Sequence, residues 1–249
     1  MYWPVTAVTL ITTTEWPLPA GIRAAFTTRL GGVSEGACGG LNLGDHVGDD
    51  PAAVAANRRL LLQQLPGASA IQWLRQVHGV EVVEAAGAGV RLTADACVTD
   101  RAGIVCAIMT ADCLPVLFAS LDGQRVAAAH AGWRGLAAGV LLQTLARFPD
   151  PAQVTVYIGP AIGPDAFEVG PEVRNAFADA PDSCFRPGRG DRLMADLPAL
   201  ARWQLQCAGV SRIAGGTDCT FSDSRRFYSY RRDPRCGRQA TLIWKENGV

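Results

Sequence analysis

The sequence predicts an α+β fold, in which mixed β-sheets are flanked by helices. Short apolar runs of strand length recur along most of the chain, whereas only four segments have the spacing and end signals of helices. Strands and helices do not alternate regularly, so a parallel βαβ repeat is not indicated. The 27 Gly and 15 Pro residues are scattered, as expected for many short elements joined by turns.

The helices are predicted from their ends as well as from their apolar spacing. Asp50 and Pro51 supply a capping carboxylate and a first-turn proline, and Pro66 and Gly67 end the helix that they begin. Gly209 closes the last helix. The four predicted helices are 51–65, 136–148, 171–177 and 193–207.

The strands are predicted from short apolar runs that lie between turn signals. They are 22–28, 71–75, 80–84, 96–99, 104–110, 115–120, 125–130, 154–158, 213–216, 227–231 and 241–244.

The strands 115–120 and 125–130 are predicted to form a hairpin. Asp122-Gly123 is a strong signal for a two-residue type I′ turn, in which both residues have positive φ. Symmetric pairing about this turn places Pro115 opposite His130 and makes Cys113 the diagonal neighbour of His130, about 7–8 Å away at the backbone. A thiol and an imidazole therefore converge, either as two metal ligands or as a nucleophile with its base.

The composition predicts a well-packed globular protein. Of the 249 residues, 49% are hydrophobic and 18% are charged, with 23 basic and 23 acidic residues. Because the net charge is zero, we expect small ligands rather than nucleic acid or a membrane surface as partners. No apolar run is long enough to span a bilayer, and the lack of a basic residue before Arg23 argues against a secretory signal. We expect a single cytoplasmic domain over residues 1–249, monomeric, with reduced cysteines.

Three residues at strand ends or turns form the candidate site. His78, Cys113 and His130 use two of the three histidines in the chain. Two imidazoles and one thiolate suit Zn²⁺, and three protein ligands leave a fourth position for water or substrate. Their spacing matches no general metal motif, so hydrogen-bonded turn histidines and a core cysteine are the structural alternative.

Sequence motifs give these residues a family context. The segments RQVHG (75–79), TADC (110–113) followed by Pro115, and HAGWRG (130–135) resemble the YfiH family, also called the multicopper polyphenol oxidase or laccase-domain family. The resemblance covers nearly the whole chain in order. The further matching segments are FTTRLGGVS (26–34), LNLG (41–44), TADA (93–96), IGPAIG (158–163), YSYRRD (228–233), GRQ (237–239) and IW (243–244).

The resemblance implies a fold, a metal and an activity. The fold is a four-layer α-β-β-α arrangement, and the zinc ligands map onto His78, Cys113 and His130, which are then also the catalytic residues. The activity is that of a zinc-dependent purine nucleoside phosphorylase acting on adenosine, inosine, guanosine and methylthioadenosine, with adenosine deaminase as a side activity. Copper-dependent polyphenol oxidation is a weaker alternative, because a multicopper site needs many more imidazoles than three.

The implied reaction needs groups that bind phosphate and substrate. Arginine recognises phosphate through paired N–H donors, and the candidates are Arg29, Arg75 and Arg134. The backbone N–H groups of residues 30–34 could add donors. Asn42 is a candidate substrate contact, and Asp112 is a candidate acid or base for deamination.

Other polar residues near these motifs have simpler interpretations. Asp95 is expected to orient a metal-binding histidine through a hydrogen bond, and His46 is expected to be a solvated loop residue. The pairs Arg225-Arg226 and Arg231-Arg232 are typical of solvated or ion-paired charges.

Two further classes of function stay open at this point. In a cysteine hydrolase, for example one that edits peptidoglycan precursors, Cys113 would be the nucleophile and His130 its base. In a non-catalytic module, zinc would stabilise a surface that binds a partner. His78 is the discriminating residue, because a Cys/His dyad does not need a second converging imidazole.

Overall fold

The computed structural model describes residues 10–12, 16–87 and 91–247. In this part of the chain the helices are α1 (Pro51–Gln63), α2 (Trp133–Ala137), α3 (Val140–Leu145), α4 (Pro171–Ala176) and α5 (Leu197–Cys207), with 3₁₀ turns at Gly36–Cys38, Pro151–Gln153 and Asp182–Cys184. The strands are β1 (Leu10–Thr12), β2 (Ile22–Thr27), β3 (Ala70–Gln72), β4 (Leu74–Arg75), β5 (Val82–Glu84), β6 (Leu92–Thr93), β7 (Ala96–Thr99), β8 (Ile104–Thr110), β9 (Leu114–Ser120), β10 (Val126–Ala131), β11 (Val154–Ile158), β12 (Glu168–Val169), β13 (Phe185–Pro187), β14 (Leu193–Ala195), β15 (Arg212–Gly215) and β16 (Gln239–Lys245).

Two mixed sheets form the centre of the molecule. One has the strand order β1-β2-β16-β8-β3, and the other has the order β15-β11-β9-β10-β7-β5. Most neighbours are antiparallel, whereas β3–β8, β11–β15 and β5–β7 are parallel. Two small sheets, β12-β14-β13 and β4-β6, lie outside them. The predicted α+β fold with mixed sheets is confirmed. None of the helices described is long and apolar enough to cross a membrane.

Three apolar clusters hold the sheets and helices together. The first joins the two sheets and includes Phe26 and Ile108 from one and Leu117 from the other. The second joins β9–β11 to α2, α3 and α5, and the third joins β8 and β16 to α1. Strands β8, β9, β10 and β11 are therefore buried at every position, because both of their faces are covered.

The predicted hairpin has the expected register but a different turn. His130 pairs with Pro115, as symmetric pairing requires. The chain reverses through a longer loop, in which Asp122 Oδ1 accepts hydrogen bonds from Ser120 Oγ and the Gln124 amide. Only Gly123 has positive φ, at 69°, so the predicted type I′ turn is wrong. The Asp122 side chain stabilises the loop, and the backbone of Asp122 does not adopt the left-handed conformation that a type I′ turn requires.

Four other elements differ from the prediction. Helix 136–148 is divided into α2 and α3 because Gly139 adopts a φ of 94°. Residues 193–195 form β14, and Asp196 then caps α5 by accepting from the Ala199 amide. Segment 71–75 is divided between β3 and β4, which belong to different sheets. Residues 227–231 form no strand; the Tyr228 amide bonds instead to Gln239 Oε1.

Candidate metal centre and adjoining cavity

The fold brings His78, Cys113 and His130 together. Their potential ligand atoms all lie within 4.8 Å of one another. Cys113 Sγ is 3.7 Å from His78 Nε2, and the two imidazole rings meet edge to face with centroids 4.7 Å apart. His130 lies in β10, Cys113 directly precedes β9, and His78 lies in the turn between β4 and β5. The hairpin register places the first two, and a separate turn delivers the third.

Asp95 holds the His78 turn in place. His78 has a φ of 62°, which is uncommon for a residue with a side chain. Its amide donates to Asp95 Oδ1 at 2.9 Å, and the Gly79 amide donates to Oδ2 at 2.7 Å. The hydrogen bonds to this buried carboxylate offset the cost of the backbone conformation.

The same carboxylate orients His130. His130 Nδ1 lies 2.8 Å from Asp95 Oδ1, and both side chains are buried. A carboxylate that accepts from one ring nitrogen leaves the other nitrogen, Nε2, free to bind a metal. Asp95 thus makes the expected hydrogen bond to a candidate metal-binding histidine. It also contacts the turn of His78, so it positions two of the three candidate ligands.

The electrostatics of the metal-free site favour a thiolate. Burial by itself would raise the pKa of Cys113, but the positive charge of His130 and hydrogen bonds from both histidines lower it to about 6. Burial would lower the pKa of His130, but the Cys113 thiolate and Asp95 raise it to about 9. The thiolate is the form that binds metals and attacks electrophiles.

Gly132 leaves the space that the cluster occupies. A Cβ atom at this position would lie 2.8 Å from His78 Cδ2 and 3.1 Å from Cys113 Sγ. Its φ of −58° is open to any residue, so the need for glycine here arises from this close approach. The backbone of Gly132 therefore forms one wall of the candidate metal site.

Asp112 connects the site to the C-terminal part of the chain. It has a φ of 96°. Its carboxylate accepts hydrogen bonds from Thr220 Oγ1 at 2.7 Å, Ser229 Oγ at 3.0 Å and the Arg231 amide at 2.7 Å. These bonds fix the loop that carries Tyr230 and Arg231 beside Cys113.

A cavity of about 460 Å³ opens beside the cluster, a size typical of small-molecule sites. It is lined by His78, Cys113 and His130 and by two other predicted site residues, Asp112 and Arg134. The polar and aromatic lining residues that were not predicted as site residues are His46, Gln76, Thr110, Trp133, Phe167, Tyr230, Arg231 and Arg238.

Three other predicted site residues do not line this cavity. Arg29 lies over the ring of Tyr228, with its guanidinium carbon 4.8 Å from the centroid. Asn42 is fully buried, and its amide bonds to Gly44, Asp49 and Arg238. Arg75 is exposed on β4.

The glycine-rich loop uses several of its amides internally. Leu30 donates to Thr28 Oγ1, Val33 to Asn57 Oδ1 and Ser34 to Gly40 O. These donors stabilise the loop itself, so the structure gives the predicted backbone contribution to phosphate binding little support.

Of the arginines interpreted as solvated or ion-paired, Arg226 and Arg232 form ion pairs, and Arg225 and Arg231 are exposed. Arg226 pairs with Asp218 and Asp223, and Arg232 pairs with Asp233. Arg231 also lines the cavity, and so does His46, which is exposed as expected of a solvated loop residue. His46 and Arg238 lie in or next to the family-like segments 41–44 and 237–239, which was the one signal in the sequence that could have drawn attention to them.

Comparison with known proteins places the chain among close relatives. The profile of a family described as multi-copper polyphenol oxidoreductase laccase matches residues 23–246. The chain is 54% identical over 240 residues to "Purine nucleoside phosphorylase PA4543" of Pseudomonas aeruginosa, covering 94% of this chain and 98% of that protein. It is 49% identical over 234 residues to "Purine nucleoside phosphorylase YfiH" of Escherichia coli, covering 92% and 96%.

Solved structures agree with the fold. The structure of Neisseria meningitidis protein NMB0706 is similar with a TM-score of 0.91 and 48% identity, covering 96% of this chain and 99% of that one. The structure of YlmD from Geobacillus stearothermophilus has a TM-score of 0.85 and 34% identity, covering 92% and 93%.

Proposed function

Since the chain belongs to the multi-copper polyphenol oxidoreductase laccase family, which is the laccase-domain or YfiH family, we propose that it is a purine nucleoside phosphorylase. In this reaction a phosphate oxygen bonds to the anomeric carbon of the sugar while the bond from that carbon to the purine breaks. The purine leaves with the bonding electrons and takes up a proton. The observation that carries the proposal is the cavity in which the His/Cys/His cluster, arginines and aromatic rings converge.

We propose that the cluster holds zinc. His78, Cys113 and His130 are the donor set that Zn²⁺ prefers at sites that keep one position open. Asp95 is bonded to His130 as the partner of a metal-bound imidazole would be, and Gly132 leaves room for the three ligand atoms. When bound, zinc supplies a Lewis acid beside the cavity.

The chain's own residues supply binding and orientation. Trp133, Phe167 and Tyr230 offer flat apolar surfaces for a purine, and the cavity volume suits a nucleoside. Arg134 has no carboxylate within 4.0 Å among the described residues, and its guanidinium lies 4.4 Å from the ring centroid of Trp133. It is therefore available as a phosphate contact.

The finer parts of the proposal follow from the family resemblance. Adenosine, inosine, guanosine and methylthioadenosine are the proposed substrates, and adenosine deamination is a proposed side activity. An acid or base role of Asp112 in deamination would have to compete with the three hydrogen bonds that its carboxylate already accepts. The α-β-β-α order of layers is supported by the apolar clusters on both outer faces of the paired sheets.

A cysteine hydrolase is the second candidate, and one observation favours it. Cys113 has a pKa of about 6 because His130 lies beside it, as a nucleophile and its base would require. The position of His78 favours a metal site instead. Copper-dependent phenol oxidation has less support, because the described residues contain one three-ligand cluster, whereas a multicopper oxidase needs several.

Phosphorus NMR, together with chromatography of the purine and the sugar, tests the proposal on the zinc-loaded protein with inosine and phosphate. Phosphorolysis gives ribose 1-phosphate and hypoxanthine in equal amounts. Free ribose in place of ribose 1-phosphate, or no purine release, would contradict it. The hydrolase alternative predicts that metal-free protein stays active until Cys113 is alkylated, and Cys207→Ala, which removes an exposed thiol, is the matched control.

A further inference from the structure

Arg238 is the half-buried member of the three arginines that line the cavity, and it has no acidic partner among the described residues. It lines the cavity just before β16, and no carboxylate oxygen of the described residues lies within 4.0 Å of it. In the described part of the chain, eight other arginines pair with aspartate or glutamate. These are Arg23, Arg58, Arg91, Arg125, Arg174, Arg186, Arg226 and Arg232. A half-buried cation without such a partner is a ready site for an anion.

The Arg238 side chain is fixed in a way that leaves two donors free. Its backbone amide donates to Asn42 Oδ1 at 2.8 Å. Its Nη1 donates to the carbonyls of Cys236 and Gly237, both at 3.0 Å. Nε and Nη2 have no hydrogen bond within the described ranges. These two nitrogens form the edge of a guanidinium that matches two oxygens of one phosphate.

His46 adds a second basic group to the same cavity. Its Nδ1 lies 3.5 Å from Asp45 Oδ1, and Asp45 also pairs with Arg58 and Arg91. One carboxylate is thus shared by three basic side chains, which leaves an excess of positive charge. Burial and then the charge of Arg238, which lines the same cavity, lower the pKa of His46.

The carboxylates around this region form no ion pair with Arg238 among the described residues, and they accept hydrogen bonds from other groups. Asp112, which lines the cavity, is engaged by three donors. Asp49 accepts from Ser34 Oγ and Asn42 Nδ2. The Arg238 guanidinium is also 6.0 Å from the ring centroid of Tyr230, so an aromatic surface adjoins the basic one.

We propose that Arg238 and His46 form the phosphate subsite of the cavity. The assignment rests on the proposed function in one respect, namely that inorganic phosphate is the second substrate. Nε and Nη2 of Arg238 donate to two phosphate oxygens, and His46, protonated on both ring nitrogens when the phosphate is bound, donates through Nε2 to a third. Tyr230 and the other aromatic residues are then left to contact the purine.

Binding of inorganic phosphate to the zinc-loaded full chain, measured by calorimetry without nucleoside, tests the subsite. Arg238→Lys keeps the charge but loses the paired donors, and His46→Gln keeps one N–H donor. We expect each to weaken phosphate binding by about tenfold, which is a loss of about 1.4 kcal/mol in binding free energy. Arg59→Lys, an exposed position on α1, should bind phosphate as the wild type does.

Steady-state kinetics give the second readout. In both variants the KM for phosphate should rise while the KM for inosine stays nearly constant. Wild-type phosphate affinity in both variants, or loss of affinity in Arg134→Lys alone, would overturn the assignment. If Arg238→Lys fails to fold, His46→Gln decides, since the one polar contact of the His46 side chain among the described residues is with Asp45.

The subsite and the proposed activity can fail separately. Phosphate binding that depends on Arg238 and His46 in a protein that phosphorolyses no nucleoside would support the subsite and contradict the activity. Phosphorolysis with an unchanged phosphate KM in both variants would support the activity and contradict the subsite.

Discussion

His130 and Asp95 form a buried 2.8 Å hydrogen bond between Nδ1 and Oδ1, at the junction of β7 and β10. The backbone supports the same pairing, because the His130 amide donates to the Asp95 carbonyl at 2.6 Å. Burial by itself would raise the pKa of Asp95, but hydrogen bonds from His130 and the Gly79 amide lower it. One ionised carboxylate therefore orients His130 and holds the turn that carries His78.

Replacing Asp95 with Asn should weaken metal binding more than it weakens the fold. The amide has a similar shape but no charge, and one side of it donates rather than accepts. We expect zinc affinity to fall about 10–100-fold, as is usual when the partner of a metal-bound histidine is removed. Competition with a chromogenic chelator measures this affinity.

Asp165→Asn is the control, because it also removes a paired carboxylate, but from an exposed pair with Arg186. Equal zinc affinity in the Asp95 and Asp165 variants would show that Asp95 does not position the ligands.

Gly132→Ala should reduce zinc content without unfolding the protein. The added methyl group meets His78 and Cys113, while the backbone conformation is one that alanine adopts freely. Metal analysis of the purified variant should show substoichiometric zinc, and the thermal midpoint of the metal-free form should stay close to that of the wild type. Full zinc occupancy in this variant would mean that the ligands sit elsewhere.

Alkylation of Cys113 in the metal-free protein should have its midpoint near pH 6. The thiolate is the reactive form, and His130 and His78 lower the pKa of this thiol from 9.0 to about 6. The rate with iodoacetamide should therefore rise as pH increases through about 6 and change little above pH 7. A Cys207→Ala/Cys219→Ala background removes the exposed thiol and the half-buried thiol that would otherwise react. A rate that continues to rise towards pH 9 would contradict the thiolate–imidazolium pair.

Tyr228→Phe should destabilise the fold and leave phosphate kinetics unchanged. The Tyr228 hydroxyl is buried and lies 3.0 Å from the carbonyl of Cys38 and 3.1 Å from that of Gly39. Removing it leaves a buried acceptor without its donor, at a cost of about 1–3 kcal/mol. Urea unfolding measures the loss. Unchanged stability would indicate that water replaces the hydroxyl.

The hairpin shows how far local sequence signals reach. Period-two pairing about residues 122 and 123 was enough to place Pro115 opposite His130, although the type I′ turn assumed there is not formed. The register survived because both strands are buried on both faces, which fixes the pairing independently of the turn. His78 could be grouped with these two residues through the family resemblance, whereas the strand pattern did not place it.

The cavity wall could not be predicted in the same way. Asn42 and Arg238 are 196 residues apart, and it is their hydrogen bond that brings the segment before β16 to the loop of His46. Asn42 was predicted as a substrate contact because the sequence does not distinguish a buried structural asparagine from one that binds a ligand. The break at Gly139 was not predicted, because the apolar residues of 136–148 keep a helical spacing on both sides of it.

The most direct test is the rate of hypoxanthine release from inosine by zinc-loaded protein, measured with and without phosphate. The wild type and Cys207→Ala should release purine only when phosphate is present, and Cys113→Ala should be inactive although it remains folded. Release without phosphate, or release by Cys113→Ala at the wild-type rate, would contradict phosphorolysis at the His78, Cys113 and His130 site.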